Sequence, residues 1–494
     1  MNTKKNILSF CAGNPEFQLF AIFFFAFILK YLIYGFCYFP ALDDYIQYGG
    51  YPLYENPSYV LFDIGTLKSR PLSAVLDIFL WGSLWKSPHL CLILSSAFHF
   101  LSCVILYRAC KKNGITLSPL FAVLFLFFPL GTEGTYWISA SSRIVVGIFF
   151  SSLSLLTLSE YLKRGTFTYF ACFFVCSACA FLLYESCAVF CFVSCAAIVI
   201  KNKNIKRMIL PILSLSLLLL SLVIYLKLMQ NTGAMGSRVS ESSVLNIFSQ
   251  SKDFLSQLLE ILTKGVFNIT VRGFQSGLKL ILTKGVFGAV YLFAIFAVCI
   301  VLGRFNAGYN TKSPSGRKAV LQIAAGIILF FSPFAPNLIA SPVWITYRTM
   351  FIPLIGIYLI LDIIFSKIAR KSVQTILLTS LLFIFIVSGI NEYDTYKRNY
   401  ELDNALIKKV CSLLPEDVLC GTREAAVLLD TTPQAAQVSF YKDHVKSVFY
   451  SDWSLTGAIR EELDNMHIKK VTPVFPDMTK DYSDCFIIDM RKND

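Results

Sequence analysis

Residues 17–36 read FQLFAIFFFAFILKYLIYGF, and residues 39–45 follow as FPALDDY. The first stretch is a mostly apolar run of about 20 residues, the length that an α-helix needs to cross a bilayer. The second stretch places two carboxylates, Asp43 and Asp44, shortly after that run. Charged groups at a membrane boundary are costly beside lipid and are expected where they face a cavity, a cation or a substrate. The pair is therefore the strongest candidate for chemistry in the chain.

The whole chain has the composition of a polytopic membrane protein. Only 15% of its 494 residues are charged, whereas soluble domains carry about 25%. The sequence predicts an all-α polytopic membrane protein with about 11 transmembrane helices. The predicted spans lie near residues 17–36, 89–108, 118–130, 143–161, 166–184, 186–200, 208–228, 284–303, 319–339, 345–365 and 372–390.

The placement of Lys and Arg predicts the orientation. Positive residues favour cytoplasmic loops, and the basic clusters alternate correctly when Lys4 and Lys5 are cytoplasmic. Residues 37–88 and 229–283 then form large outer loops, and the C-terminal segment is also outside. The net charge of +13 is explained by these loops, so nucleic acid is not an expected partner.

The chain divides into a predicted multi-span domain, 1–390, and a predicted extracytoplasmic domain, 391–494. Short strand-like runs alternate with helical stretches in the second segment, which favours a small α/β domain. The strand-like runs are residues 418–420, 426–429 and 486–488. A disulfide between Cys411 and Cys420 is one option if this segment is exported.

Two further segments are distinctive. Residues 71–86 are short for a span and contain Asp77, and a crossing here would place Lys111 and Lys112 outside. They therefore predict an amphipathic helix on the outer surface that begins at Pro71. The heptapeptide ILTKGVF occurs twice, at residues 261–267 and 281–287. This repeat indicates a local duplication for which the sequence offers no chemical reason.

Several ionisable residues fall at the outer ends of the predicted spans. The candidates for substrate binding are Arg70, Glu133, Arg143, Glu185, Tyr347 and Arg348. Arginine suits bidentate binding of phosphate, although snorkelling to lipid headgroups explains such arginines equally well. Glu185 is flanked by apolar residues, so it is either functional or held by a structural hydrogen bond.

An acid and several arginines on one side of a membrane suggest a particular reaction. A lipid-phosphate sugar would present its sugar and phosphate at that interface. An aspartate can accept the proton of an attacking hydroxyl, and arginines can stabilise a leaving phosphate. We expect Asp43 to be the base and Asp44 to position it or to bind a cation. A divalent cation such as Mg or Mn at the pair stays open, and so does simple helix capping by the pair.

These motifs resemble the GT-C superfamily of membrane glycosyltransferases. Within it, the chain is most similar to the bacterial glucosyltransferases that modify O-antigen and so convert serotype. The resemblance rests on Asp43-Asp44, on Ser69-Arg70-Pro71-Leu72, on Gly134-Thr135-Tyr136-Trp137 and on Tyr184-Glu185. Tyr45 stands where the family pattern leads us to expect Trp, which leaves the sugar open.

The resemblance implies a donor, an acceptor and a location. The donor would be an undecaprenyl-phosphate-linked sugar, with glucose favoured, and the acceptor a cell-surface glycan such as O-antigen in lipopolysaccharide. The reaction would be an inverting hexosyl transfer on the periplasmic face of the bacterial inner membrane. A synthase and a flippase for the donor lipid would be further partners. No other cofactor is implied.

Two other functions compete with this interpretation. A flippase for lipid-linked oligosaccharides would need polar residues along a path through both leaflets, whereas the polar residues here gather on one side. An O-antigen polymerase also has many spans and large outer loops, but it would not need the early acidic pair.

Overall fold

The computed structural model describes most of the chain. The described residues are 14–45, 47, 56–63, 67, 70–202, 204–230, 244–308, 314, 316–339, 343–435, 446–478 and 482–491. Lys4 and Lys5, used above for the orientation, and Ser69 of the Ser-Arg-Pro-Leu motif lie outside these residues.

The described residues are mostly helical, and the chain is a multi-pass membrane protein. Eight helices within them are long and apolar enough to cross a membrane. They are Pro15–Leu32, Pro88–Lys112, Ile138–Arg164, Ile205–Tyr225, Gly285–Gly308, Arg317–Leu338, Tyr347–Ser366 and Lys371–Leu413. The pair Pro119–Phe127 and Pro129–Tyr136, bent by 42°, would be a ninth. Two 17-residue helices, Phe167–Leu183 and Glu185–Lys201, coincide with two further predicted spans, so the count of eleven stays a prediction.

The first span ends earlier than predicted. Its helix is Pro15–Leu32, capped by the side chain of Asn14. Gly35 and Phe36 both have positive φ, at 61° and 60°. A left-handed backbone cannot continue a right-handed helix, so the chain turns before it reaches the acidic pair.

At the bend between Phe127 and Pro129, side chains from two other spans donate hydrogen bonds to backbone carbonyl groups. Pro129 has no N–H, so the carbonyl of Phe125 loses its usual helical donor. His99 Nε2 lies 3.0 Å from that carbonyl oxygen and donates to it. Lys30 Nζ lies 3.4 Å from the next carbonyl oxygen, that of Leu126. Since a backbone carbonyl within a membrane must be bonded internally, Lys30 and His99 have a structural explanation.

The start of this bent pair is held by a buried acid. Asp362 accepts hydrogen bonds from Ser118 N at 3.1 and 3.0 Å and from Phe121 N at 3.2 Å. It also accepts one from the Ser118 hydroxyl. These N–H groups open the helix Pro119–Phe127, where a carboxylate satisfies donors that lack helical partners.

The duplicated heptapeptide adopts two structures. In its first copy, Ile261–Gly265 is helical and the helix continues through Asn268–Arg272 into Gly273–Leu282. In the second copy the chain turns at Thr283 and Lys284, and Gly285, with φ of 61°, begins the next helix. A helix is present where the amphipathic helix was predicted, as Pro71–Leu76 continued by Asp77–Gly82, with Pro71 at its first turn. Its amphipathic character and its location on the outer surface stay predictions.

By compactness the chain forms two units, each assembled from separate segments. The span unit comprises Met1–Phe36, Ser95–Thr135 and Arg143–Glu392. The loop–tail unit comprises Cys37–Leu94, Tyr136–Ser142 and Tyr393–Asp494. The predicted domains, 1–390 and 391–494, are continuous segments, and their division stays a prediction.

Among its described residues, the loop–tail unit contains a three-stranded parallel sheet. Its strands are β1 Ala425–Leu428, β2 Val471–Val474 and β3 Phe486–Asp489, in the order β2-β1-β3. The helix Asp452–Leu463 packs on it. Two predicted strands, 426–429 and 486–488, are confirmed. The predicted strand at residues 418–420 is wrong, because Glu416–Leu419 is a helical turn that bonds back to Pro415. Strand β2 was not predicted. Cys411 and Cys420 are both free thiols.

Candidate functional site

The Asp44 carboxylate is the centre of a buried hydrogen-bond network in the loop–tail unit. It is fully buried. Oδ2 accepts from the Tyr38 hydroxyl at 2.6 Å and from Ala41 N at 3.0 Å, and Oδ1 accepts from Ser139 N at 2.9 Å. Ser139 lies in the first turn of the helix Ile138–Arg164. A carboxylate is favoured there because the first N–H groups of a helix lack helical partners.

The groups around Asp44 are themselves fixed. The Tyr38 hydroxyl accepts from Ile138 N at 2.8 Å, and Trp137 Nε1 donates to the Ala41 carbonyl at 3.1 Å. The Ser139 hydroxyl donates to Gln47 Oε1 at 2.8 Å. The segment that carries the acidic pair is thus tied to residues 137–139 by side-chain and backbone bonds.

Local backbone geometry places the two acids in different environments. Leu42, just before them, has φ of 42°, a left-handed conformation that is strained for a leucine. The turn that follows lets the Asp44 side chain reach back to Ala41 N, as an acid does in a capping box. Asp44 is buried by this turn, whereas Asp43 is only partly buried. Helix capping therefore describes Asp44.

Burial dominates the electrostatics of the network. It raises the pKa of the Asp44 carboxyl to about 7, against the hydrogen bonds from Tyr38, Ala41 and Ser139, and the neighbouring Asp43 charge acts in the same direction as burial. Burial, followed by the Asp44 charge, also raises the pKa of Tyr38 well above its usual range. Near neutral pH, the Asp44 carboxyl is therefore partly protonated, and the Tyr38 hydroxyl keeps its proton.

The residue after the pair lies in the apolar core of the tail. Tyr45 is 5% exposed and belongs to a cluster with Val410, Phe449, Leu455 and Ile488, among others. Burial raises the pKa of Tyr45 well above its usual range, and Asp403, Glu461, Tyr400 and Asp44 act in the same direction. The tyrosine found where tryptophan was expected is therefore a core residue of this unit.

Arg70 is the third candidate within the loop–tail unit. It is partly buried and precedes the helix Pro71–Leu76, with an extended backbone at φ of −148°. Its carbonyl accepts from Ala74 N at 2.9 Å. Its position at the start of the helix agrees with the predicted motif, and its role toward phosphate stays a prediction.

The other candidates lie in the span unit at the ends of helices. Glu133 is 1% exposed, in the short helix Thr132–Tyr136. Arg143 is partly buried near the start of Ile138–Arg164, and Glu185 opens Glu185–Lys201. Tyr347 is 2% exposed and Arg348 is partly buried in the first turn of Tyr347–Ser366.

Two glycines show how closely these ends pack. A Cβ added to Gly134 would lie 3.0 Å from the Arg348 carbonyl oxygen, and one added to Gly265 would lie 2.9 Å from the Tyr347 hydroxyl. The structure therefore brings the segment after Glu133 against the first turn that carries Arg348. It also brings Tyr347 against the first copy of the duplicated heptapeptide.

Sequence reasoning missed the residues that hold the pair. Tyr38, Ser139, Trp85 and Glu461 were not singled out, and Trp85 Nε1 donates to Glu461 Oε1 at 2.9 Å. The only signal for Tyr38 was its position six residues before Asp44. The distances in sequence from Asp44 to Ser139 and from Trp85 to Glu461 are too long for any local pattern to reveal.

The groups around the Asp44 carboxylate are hydrogen-bond donors, so they suit hydrogen bonding better than cation binding. Both oxygens accept hydrogen bonds, so a divalent cation would compete with Tyr38, Ala41 and Ser139 for them. Within the described parts of the chain, His, Cys, Asp and Glu side chains form no group of three or more that could hold a metal ion. A cation at Asp43 and Asp44 stays an untested option.

Two comparisons with known proteins complete the description of the site. No family model matches the chain, and no curated protein matches it.

Proposed function

We propose that the chain is a membrane glycosyltransferase that moves a sugar from a polyprenyl-phosphate donor to a surface glycan. Glucose is the favoured sugar, undecaprenyl phosphate the favoured carrier and O-antigen the favoured acceptor. The site would face the periplasm from a bacterial inner membrane. A synthase and a flippase would supply the donor lipid on that face.

The proposed step is an inverting displacement at the anomeric carbon. The acceptor hydroxyl attacks C1 of the sugar as the bond from C1 to the phosphate oxygen breaks. The hydroxyl proton passes to the Asp43 carboxylate, and the electron pair of the broken bond leaves with the polyprenyl phosphate. The energy comes from the donor's phosphate ester, so no nucleotide is required.

The proposal rests on the different environments of the two acids of the pair. Asp44 is buried and bonded to Tyr38, Ala41 and Ser139, so it suits a positioning role. Asp43 lies beside it, partly exposed, where a substrate hydroxyl can reach a carboxylate. A general base must come within hydrogen-bond reach of its proton, and Asp43 meets that need better than Asp44.

The leaving phosphate would be held by arginine. Arg70, Arg143 and Arg348 each lie at the start of a helix and are partly buried. A guanidinium can donate two parallel hydrogen bonds to a phosphate and stabilise its developing charge. We rank Arg348 first because its helix packs against the proline-containing turn Ser332–Phe334, a candidate wall of a lipid access path.

Substitution of the pair tests the proposal. Asp43→Asn should lower transfer by about 10²–10⁴-fold, the usual effect of losing a positioned base, with the protein still present in the membrane. The measurement is transfer of radiolabelled sugar from polyprenyl phosphate in membranes. Asp477→Asn, at an exposed acid of the same unit, is the matched control and should leave transfer unchanged.

Glycan analysis of the same strains separates the competing functions. A transferase variant should change the composition of the surface glycan and leave its chain length unaltered. A change in chain length alone would favour a polymerase, and loss of all glycan export would favour a flippase. Near-normal modification in both Asp43→Asn and Asp44→Asn would refute the glycosyltransferase proposal.

A further inference from the structure

The loop that carries the acidic pair shares its core with the C-terminal tail. Tyr45 lies two residues after Asp43 and is packed among tail residues such as Val410, Phe449 and Ile459. Because tyrosine buries a large apolar area, this single side chain anchors the segment on the tail's core.

A second connection runs from the tail to the Asp44 carboxylate. Glu461 accepts a hydrogen bond from Trp85 Nε1 at 2.9 Å. The Trp85 ring packs edge-on against Tyr38, with centroids 6.2 Å apart. The Tyr38 hydroxyl donates to Asp44 at 2.6 Å. Each contact orients the next, so the tail carboxylate fixes the donor that fixes Asp44.

A third connection consists of aromatic rings. Tyr136 lies 4.8 Å from Tyr393 and 4.6 Å from Tyr396, and Phe39 lies 6.0 Å from Tyr400, centroid to centroid. Tyr393, Tyr396 and Tyr400 succeed one another at helical spacing on Lys371–Leu413. One helix face therefore contacts the segments on both sides of the acidic pair's network.

We propose that residues 393–494 form a positioning domain for Asp43, in which Tyr45 and Trp85 are the positioning residues. This inference rests on the proposed function, since it assigns the tail a role in the same reaction. The tail need not contact the sugar, the phosphate or the acceptor. It holds the loop that carries the base.

The expected effect follows from geometry. A displacement of about 1 Å at a reacting group can cost on the order of 10²-fold in rate. Without the Tyr45 ring, the turn at Leu42 to Asp44 would lose its apolar contact with the tail and keep its bonds to Tyr38 and to residues 137–139. Loss of the anchor should therefore lower kcat, while the KM for the donor lipid, set by groups elsewhere, should change little.

Substitution of Tyr45 is the first test. Tyr45→Leu should lower kcat by about 10–100-fold with the donor KM within about twofold of wild type. Tyr45→Phe keeps the ring and should restore most of the rate. Tyr450→Leu, at a half-exposed tyrosine of the same unit, is the matched control and should be silent. A wild-type kcat in Tyr45→Leu would overturn the proposal.

Hydrogen exchange gives a readout that does not depend on activity. Ala41 N and Ser139 N both donate to Asp44, so peptides covering residues 37–47 and 136–142 report on the network. In detergent-solubilised full-length protein, Tyr45→Leu should speed exchange there and leave the helix Ile205–Tyr225 unaffected. Unchanged exchange at residues 37–47 would overturn the proposal, as would faster exchange with wild-type transfer.

Substitution of Trp85 covers the case in which Tyr45→Leu does not accumulate in the membrane. Trp85→Phe keeps a ring against Tyr38 but removes the donor to Glu461, and we expect a smaller loss of kcat, about 3–10-fold, the equivalent of one modest hydrogen bond. Trp453→Phe, at a 41% exposed tryptophan, is the control. Equal kcat in both variants would overturn the role of Trp85.

The two proposals fail in different ways. If Asp43→Asn and Asp44→Asn both transfer sugar at the wild-type rate, the proposed function fails. If Asp43→Asn is inactive while Tyr45→Leu and Trp85→Phe keep full kcat, only the positioning role of the tail fails.

Discussion

At the scale of the residue, two identical side chains in adjacent positions have different environments. Successive residues of a helical turn point about 100° apart, so the turn that buries Asp44 leaves Asp43 partly exposed. Asp44 is held by hydrogen bonds, and Asp43 is exposed enough for the role of base that we propose for it. Environment, not residue type, separates the roles of paired carboxylates.

The raised pKa of Asp44 predicts a dependence of stability on pH. Burial raises the pKa of the Asp44 carboxyl from 3.8 to about 7. Between pH 3.8 and pH 7, Asp44 is therefore mostly protonated in the folded state and mostly ionised in the unfolded state. The stabilisation is complete below pH 4 and is lost as the pH rises through 7. Between pH 5 and 8 this amounts to roughly 3 kcal/mol at 1.36 kcal/mol per unit.

Thermal unfolding in detergent checks this prediction. The Tm of the wild type should fall more between pH 5 and 8 than that of Asp44→Asn, whose side chain does not titrate. The amide can accept at only one oxygen, so the variant should also be less stable at pH 5. Identical pH dependence in the two proteins would contradict the burial of a titrating Asp44.

Arginine-to-lysine substitutions distinguish phosphate ligands from snorkelling side chains. Lysine is a poor substitute at a bidentate site, so Arg→Lys should abolish most transfer at the true ligand among Arg70, Arg143 and Arg348. At a snorkelling arginine the same change should be nearly silent. Arg304→Lys, at an exposed arginine, is the control. Full transfer by all three variants would mean that another group binds the phosphate.

At the scale of the element, a neighbouring helix supplies the hydrogen bond that is lost where one helix breaks. Pro129 removes a donor, and the freed carbonyl of Phe125 takes a substitute donor from His99. Irregular backbone is tolerated at membrane depth where protein groups satisfy it. The buried side chains of His99 and Lys30 thus complete the hydrogen bonding at the helix break.

Removal of the His99 donor should destabilise the bent span. We expect His99→Leu to cost about 1 kcal/mol, in the range measured for such bonds within membranes, and to lower the Tm in detergent. In a Pro129→Ala background the residue at 129 regains its N–H, so the same substitution should cost less. His89→Leu, at an exposed histidine, is the control. An equal cost in both backgrounds would rule out this account of the break.

At the scale of the whole molecule, the loop–tail unit joins segments that are far apart in sequence. Residues 37–94, 136–142 and 393–494 form one compact unit, and its core includes Tyr45 from the first of them. If this unit is folded on one side of a membrane, all three segments must reach that side. The predicted orientation, in which both the acidic loop and the tail are outside, meets this requirement.

Reporter fusions test the orientation. A reporter fused after Asp494 should be active only if it functions outside the cytoplasm, because the Lys and Arg clusters assign that side to the tail. A fusion after Lys201, in a predicted cytoplasmic loop, should show the opposite activity and serves as the control. Activity of a cytoplasm-only reporter after Asp494 would overturn the outer location of the acidic pair.

The sequence by itself determined the class of the protein and the approximate positions of the long apolar helices. These depend on composition and on apolar runs, which are local properties of the chain. Two strands of the tail were also predictable, because 426–429 and 486–488 are short apolar runs that each end at an aspartate, Asp430 and Asp489.

Only the tertiary structure decided what each local pattern became. ILTKGVF is helical where a Cβ on Gly265 would lie against the Tyr347 hydroxyl. It turns where Gly285 adopts a positive φ and an added Cβ would have open space around it. Residues 418–420 have strand-like composition, yet Glu416–Leu419 is a helical turn. The partners of Asp44 lie up to 95 residues away in sequence, so folding alone brings Ser139 to it. Burial and partner choice are properties of packing, and they decided that Asp44 is buried while Asp43 is partly exposed.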